Sequence, residues 1–213
     1  NNQTSTATLE DCTIKDCFNL GYSTGGSGGT SRSAGNTVCK MIMRRCEVSG
    51  NKANCVCGGV FWEAAMSPVL EMENCVIQNN YTSSSAGGVD LRCPAVLTGC
   101  KIRNNYAKAQ GGGLTYQPYA GGSTAYLPNN YFPADASITL DANTEITGNY
   151  SETYGGGMYI NVYPMNFAYS DNSPQAWTVF YTGNSAGTGF TSKQYAINIQ
   201  LNGATLSNNS ISR

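Results

Sequence analysis

Asp90 and Arg92 are a charged pair whose types and spacing could support acid–base chemistry. Because they lie two positions apart in a predicted strand, their side chains would share one face. Glycoside cleavage needs two carboxylates across the scissile bond, and lyase chemistry needs acidic calcium ligands with a basic proton acceptor. The next repeat has Thr115 and Gln117 in the corresponding region, so a second carboxylate is missing. We therefore expect Asp90 and Arg92 to form a solvated ion pair.

The nine cysteines offer a second kind of chemistry. Four of them recur two residues before the apolar residue of a repeated phrase: Cys12, Cys46, Cys75 and Cys100. This spacing predicts a column of thiols stacked in adjacent coils. Parallel Cβ atoms at a coil spacing of about 4.8 Å lie farther apart than the ~3.8 Å of a disulfide, which favours reduced thiols. The other five lie near predicted corners, where bridges form more easily, and an odd total leaves at least one thiol free or paired with another chain.

No metal or cofactor site is expected from the sequence. Cys55 and Cys57 are too close together for a zinc knuckle, and there is no histidine to complete a mixed site. Glycine clusters lie at 58–59, 87–88, 111–113 and 155–157. They open no helical pattern and carry no Gly-Lys-Ser/Thr, so they do not predict a phosphate loop. They indicate positive φ at a turn, or close approach of neighbouring coils.

A short phrase recurs along the chain: an apolar residue, two variable residues and an asparagine. Its six copies end at Asn51, Asn80, Asn105, Asn149, Asn184 and Asn209. The shortest separation between these asparagines is 25 residues, which lies in the range of solenoid repeats. An asparagine amide can bond to the asparagine one coil above and below, so we predict an inward asparagine ladder that satisfies buried backbone groups. Asparagine also tolerates the left-handed backbone of a corner.

Short stretches within each repeat alternate with a period of two, which is strand periodicity rather than helical periodicity. Several short strands per unit, joined by tight corners, predict an all-β fold: a right-handed parallel β-helix of about six to seven coils. We expect one domain over residues 1–213, forming a segment of a longer chain, with insertions near 18–37, 117–135 and 161–177. The last two insertions are rich in tyrosine and proline.

The phrases "GGVFW", "GGVDL", "GGGLTY" and "GGGMYI", combined with the apolar-x-x-Asn phrase, carry a family resemblance. The combination resembles the repeats of polymorphic outer-membrane proteins and related adhesin-like β-helix surface proteins. The resemblance covers roughly residues 40–213, with a weaker first coil at 9–17. It implies a surface-exposed segment used in adhesion or in building an extracellular structure, and it supplies no catalytic residues.

The tyrosine-rich insertions are the predicted contact surface. Loops on a rigid scaffold often carry recognition, and aromatic rings offer amphipathic surface to sugars or proteins. The candidates are Tyr119, Tyr126, Tyr131 and Tyr163. An alternative of equal weight is that these rings only pack on the open flank of the coils or on each other. Asn2 is the preferred glycosylation site among four Asn-x-Ser/Thr sequons, because an inward ladder would hide the others.

Composition limits the partners. Charged residues make up 12% of the 213 residues and the formal net charge is −1, so we expect no nucleic-acid partner. No stretch approaches the roughly 20 apolar residues of a membrane helix, so no direct membrane insertion is expected. We expect a non-catalytic extracellular or cell-surface protein, acting as a spacer, adhesin or filament component. Its partners would be further coils or other chains at its ends, and surface glycans. The alternatives are a carbohydrate-active β-helix enzyme, lyase-like or glycosidase-like, and a glycan-binding module.

Overall fold

The computed structural model describes residues 4–20, 28–31, 38–54, 56–64, 69–117, 137–162, 165–169, 177–183 and 193–212. Within these ranges the chain contains strands and no helix, and the strands form four sheets whose pairings are parallel except for two antiparallel additions. Each coil contributes strands to the sheets in the same order, as a right-handed parallel β-helix requires. The predicted fold class is confirmed.

The described residues trace six coils. The first coil contains β1 (Thr4–Glu10), β2 (Thr13–Lys15), β3 (Phe18–Asn19) and β4 (Gly28–Ser31). The second contains β5 (Val38–Arg44), β6 (Glu47–Ser49), β7 (Lys52–Ala53) and β8 (Val60–Ala64). The third contains β9 (Val69–Glu73), β10 (Val76–Gln78), β11 (Tyr81–Thr82) and β12 (Val89–Leu91).

The fourth coil contains β13 (Ala95–Thr98), β14 (Lys101–Arg103), β15 (Tyr106–Ala107) and β16 (Leu114–Tyr116). The fifth contains β17 (Ser137–Leu140), β18 (Glu145–Thr147), β19 (Tyr150–Ser151) and β20 (Met158–Val162). Two additional strands follow, β21 (Met165–Tyr169) and β22 (Trp177–Gly183). The sixth coil contains β23 (Lys193–Gln200), β24 (Thr205–Ser207) and β25 (Ser210–Ile211).

The register is constant along the second sheet, whose strand order is β2-β6-β10-β14-β18-β24. Its equivalent positions are Ile14, Val48, Ile77, Ile102, Ile146 and Leu206. Five of these side chains are buried, and Ile14 packs against the same core. The apolar residue of the repeated phrase therefore points inward once per coil, as strand alternation requires.

One predicted repeat is wrong. Tyr181, which precedes Asn184 by three residues, lies in β22, and β22 pairs antiparallel with β23 at the side of the first sheet. Strand β21 likewise pairs antiparallel with β20. The four-residue phrase matched because it reflects only local sequence, whereas membership of a coil depends on pairing with residues far away in the chain.

The predicted insertions differ in content. The region 18–37 includes β3 and β4, which are strands of the first coil, and the region 161–177 includes β21. Residues 118–135 of the remaining insertion lie outside the described ranges.

Close packing of coils explains the paired glycines. A Cβ added to Gly88 would lie 2.4 Å from the carbonyl oxygen of Gly113, and one added to Gly59 would lie 2.3 Å from that of Gly88. Neither glycine adopts a positive φ. Close approach is therefore the reason for the pairs, while Gly111 and Gly155, with φ of 68° and 60°, occupy the turn position just before them.

Corner geometry corrects the role predicted for asparagine. The left-handed residue is the one immediately before each ladder position, and the ladder asparagine itself has no positive φ. These left-handed residues are Gly50, Asn79, Asn104, Gly148 and Asn208, with Asp16 before the equivalent Cys17 of the first coil, and their φ lies between 54° and 66°. They are Asp, Asn or Gly, the residue types with the smallest penalty in this conformation.

Candidate functional site

A ladder of side-chain amides runs along the buried corner between the second and third sheets. Asn51, Asn80, Asn105, Asn149 and Asn209 are each buried. The Nδ2 of each of the first four donates to the Oδ1 of the next asparagine at 2.9–3.0 Å. The same Oδ1 accepts the backbone N–H of the preceding asparagine at 2.9–3.0 Å.

Each side-chain amide also donates a hydrogen bond to a backbone carbonyl of the coil before it. Asn80 Nδ2 donates to the carbonyl oxygen of Val48 at 2.9 Å, and Asn209 Nδ2 donates to that of Ile146 at 2.8 Å. Asn149 bonds directly to Asn209. No rung lies between them, and Asn184, the predicted sixth member, lies outside the described residues.

The four predicted column cysteines occupy equivalent positions in the first four coils. Their carbonyl oxygens accept backbone N–H groups from the next coil at 2.8–2.9 Å. All four thiols point toward the carbonyl two residues earlier in the chain: Cys12 to Glu10, Cys46 to Arg44, Cys75 to Glu73 and Cys100 to Thr98. The side chains therefore share one orientation, so the sulfurs form a line along the helix axis.

Burial and neighbouring thiols shape the acidity of this column. Burial raises the pKa of Cys46. The neighbouring Cys100 side chain lowers the pKa of Cys75, whereas Cys75 and burial together raise the pKa of Cys100. Cys46, Cys75 and Cys100 are buried, whereas Cys12 is only partly covered.

The other described cysteines are also free thiols. Cys17 is exposed, and Cys57 and Cys93 are buried, with their pKa values raised by loss of hydration. Nothing is described for the side chain of Cys39, and Cys55 lies outside the described residues.

The Asp90–Arg92 pair is not solvated, so that prediction was wrong. Their side chains are 0% and 14% exposed, and Asp90 Oδ2 lies 3.4 Å from Arg92 Nη2. The Arg92 guanidinium also lies 5.0 Å from the centre of the Phe61 ring. Phe61 and Thr115 are the register neighbours of Asp90 in the adjacent coils, and both are buried.

This cluster lies on the outward side of β12, because its neighbours Val89 and Leu91 belong to the central core. Cys57 approaches the cluster from the preceding coil, and the negative charge of Asp90 adds to burial in raising the pKa of that thiol. Strand alternation assigned Asp90 to the outer face but could not indicate that the outer face is covered there.

Three tyrosines form a stacked row on the outer face of the third sheet. The ring centres of Tyr81 and Tyr106 are 5.1 Å apart, and those of Tyr106 and Tyr150 are 5.2 Å apart. The interplanar angles are 16° and 25°, so the ring faces meet each other. Sequence reasoning missed this row, although its signal is plain: a tyrosine directly follows the ladder asparagine in three coils.

Glu152 contacts the tyrosine row, because its carboxylate accepts a hydrogen bond from the Tyr106 hydroxyl. This bond raises the pKa of Tyr106 to about 12. The predicted contact residues Tyr119, Tyr126, Tyr131 and Tyr163 lie outside the described residues.

The sequons fall into different environments. The side chains of Asn80 and Asn149 are buried in the amide ladder, whereas Asn208 is exposed at a corner with φ of 55°. Asn2, the predicted glycosylation site, is outside the described ranges.

Charged side chains on the outer faces pair mostly from coil to coil. Lys40 and Glu71, one coil apart in the first sheet, approach to 2.6 Å. Arg45 of the second coil binds both Glu10 and Asp11 of the first at 2.7 Å. Glu47, Gln78 and Arg103 of three successive coils form a chain of hydrogen bonds of 3.0 and 2.9 Å.

Across the described part of the chain, no three His, Cys, Asp or Glu side chains are grouped so that they could hold a metal ion. The same residues contain no helix with the length and apolar character to cross a bilayer. A scan against protein-family models, a search of curated proteins and a search of solved structures each found no match to the chain.

Proposed function

We propose that the chain is a segment of an extracellular, non-catalytic β-helix that serves as a spacer, adhesin or filament component, similar in kind to the adhesin-like surface proteins that its repeats resemble. The observation that carries this proposal is the pairing of outer-face side chains along the stack. The ion pairs, the Glu47–Gln78–Arg103 chain and the tyrosine row each join successive coils. Such one-dimensional bonding suits a rigid rod.

We expect partner chains at the two ends of the stack, because the sheets have edge strands there. Strands β2 and β24 are the edge strands of the second sheet, and β3 and β25 are those of the third. Edge strands present backbone N–H and C=O groups that another strand can pair with. Further coils or another protein chain would satisfy these groups.

Adhesion can be tested with beads coated with the purified chain and held under flow on a panel of glycans, extracellular proteins and cells. Specific retention on one surface supports the adhesive form of the proposal. Retention on none, together with straight rods by electron microscopy of the full-length protein, supports the spacer form. Polysaccharide cleavage that is lost in Asp90→Asn would instead establish the enzyme alternative and overturn the proposal.

A glycan-binding module is the second candidate, and the tyrosine row favours it. The ring centres repeat there at 5.1 and 5.2 Å, which is close to the length of one sugar in an extended β-1,4-linked glycan. Because ring faces meet within the row, recognition would use hydroxyl hydrogen bonds and ring edges. The triple variant Tyr81→Ala/Tyr106→Ala/Tyr150→Ala should then lose glycan binding. Tyr154→Ala, which removes a tyrosine that is 59% exposed and outside the row, should keep it.

A further inference from the structure

The tyrosine row lies well inside the stack of coils. Tyr81, Tyr106 and Tyr150 are register neighbours in the third, fourth and fifth coils. The row is flanked by Lys52 of the second coil and Ser210 of the sixth. All three tyrosine side chains are partly exposed. Their exposure belongs to the lateral surface of the β-helix, so it does not depend on what lies at either end of the stack.

Tyr106 has a proton acceptor already in place. Its hydroxyl donates a hydrogen bond to the carboxylate of Glu152 in the next coil. A phenol that loses an electron becomes strongly acidic, and a carboxylate bonded to the hydroxyl can take the proton in the same step. The bond also raises the pKa of Tyr106 to about 12, so at neutral pH the phenol keeps its proton until an electron leaves. Electron and proton therefore leave Tyr106 together.

The Tyr106 ring lies between two other rings. Its centre is 5.1 Å from that of Tyr81 and 5.2 Å from that of Tyr150. A ring that gives up an electron develops positive charge, and the face of an aromatic ring attracts positive charge, so both neighbours stabilise oxidation of Tyr106. Carbon–carbon coupling of phenols joins ring edges, whereas these rings meet by their faces at 16° and 25°. The oxidised ring is therefore better placed to couple with a phenol from outside the row.

We propose that the tyrosine row and Glu152 form a site of oxidative phenol coupling, at which Tyr106 loses one electron and is joined to a phenol of another molecule. The oxidant is hydrogen peroxide acting through a haem peroxidase. Tyr106 gives up an electron while its proton passes to Glu152 and then to solvent, and the external phenol gives up an electron and a proton. The peroxide is thereby reduced to two waters. The two radicals join through carbons ortho to the hydroxyls, and the hydrogen on each of these carbons moves to the phenolic oxygen of its own ring.

The test uses the folded protein, a haem peroxidase, hydrogen peroxide and N-acetyltyramine as the external phenol. Exposed thiols are first alkylated with iodoacetamide, because thiols compete for one-electron oxidants. Peptide mass spectrometry then measures the rate of labelling at each tyrosine. We expect Tyr106 to be labelled faster than Tyr154, although Tyr154 is 59% exposed and Tyr106 is partly buried. The activity needs no glycan and no adhesion partner, so its test is independent of both.

The source of the phenol is identified by repeating the reaction without N-acetyltyramine. A covalent dimer joined through Tyr106 would identify a second copy of the chain as a partner, whereas labelling by N-acetyltyramine without dimers would identify a small phenol. Either product at Tyr106 supports the proposal.

Glu152→Gln keeps an oxygen that can accept the hydrogen bond but removes the group that takes the proton. It should slow labelling of Tyr106 by about tenfold or more. Glu145→Gln is the matched control, because it removes a carboxylate that pairs with Lys101 and should leave the rate unchanged. Circular dichroism checks that both variants stay folded. Equal rates at Tyr106 in the wild type and in Glu152→Gln would overturn the proposal, and so would faster labelling of Tyr154 than of Tyr106 in the wild type.

Discussion

Asn80 donates its side-chain amide to Oδ1 of Asn105 at 3.0 Å, although 25 residues of sequence separate them. That oxygen also accepts the backbone N–H of Asn80 at 3.0 Å. One carbonyl oxygen thus satisfies two buried donors of the neighbouring coil. Since both donors are shut off from water, losing the acceptor costs more than the hydrogen bonds alone contribute.

Asn105→Ala should therefore destabilise the fold by roughly 3 kcal/mol, since two buried donors of Asn80 lose their acceptor and the Ile77 carbonyl and Asn149 Oδ1 each lose one donor. Urea denaturation followed by circular dichroism measures the change. Asn104→Gly is the control, because Asn104 is exposed and left-handed, with φ of 54°, and glycine suits that conformation. Equal losses in the two variants would contradict a specific role for the ladder.

Gly88→Ala should cost about 3 kcal/mol because the new Cβ would lie 2.4 Å from the carbonyl oxygen of Gly113 and force two coils apart. Gly203→Ala tests the backbone-conformation penalty without the steric clash. Its Cβ would lie 3.5 Å from the Cβ of Ala142, so only the left-handed φ of 81° is penalised, by about 1 kcal/mol. Thermal and urea unfolding should rank the variants in that order, and the reverse order would refute close packing as the reason for the glycine pairs.

Asp90→Asn and Arg92→Met should each destabilise the protein by about 3 kcal/mol, because each removes one side of a buried ion pair. The double variant should cost clearly less than the two combined. Glu71→Gln is the surface comparison, since it breaks the exposed Lys40 pair and should change stability by less than about 1 kcal/mol. Strict additivity in the double-mutant cycle would show that Asp90 and Arg92 are not coupled.

The inward positions could be predicted because a solenoid repeats the same environment at each coil. The spacing of Asn51, Asn80 and Asn105, and of the cysteines before them, can be read from the sequence, and stacking keeps these residues at equivalent positions of successive coils. Tyr181 shows the limit of that reasoning, since its phrase matches the repeat while its strand pairs antiparallel.

Outward positions were less predictable. The burial of Asp90 depends on Phe61 and Thr115, which lie 29 residues before it and 25 residues after it, and on what covers the face. The stacking of Tyr81 on Tyr106 depends on coil register in the same way. Strand alternation predicts the face of the sheet on which a side chain lies. Only the pairing register between coils shows which side chains it contacts there.

The Tyr106–Glu152 hydrogen bond should be visible as a delayed ionisation. The bond raises the pKa of Tyr106 to about 12, above its ordinary value of 10.0, so the neutral phenol is the form that the fold favours. Its stabilising contribution is complete below about pH 10 and is lost as the pH rises through about 12.

In NMR spectra of ring-labelled protein, with Tyr106→Phe for assignment, Glu152→Gln should move the Tyr106 midpoint back toward 10. Glu145→Gln, which breaks the pair with Lys101 instead, should leave it near 12. A midpoint near 10 in the unsubstituted chain would show that the bond does not persist in solution.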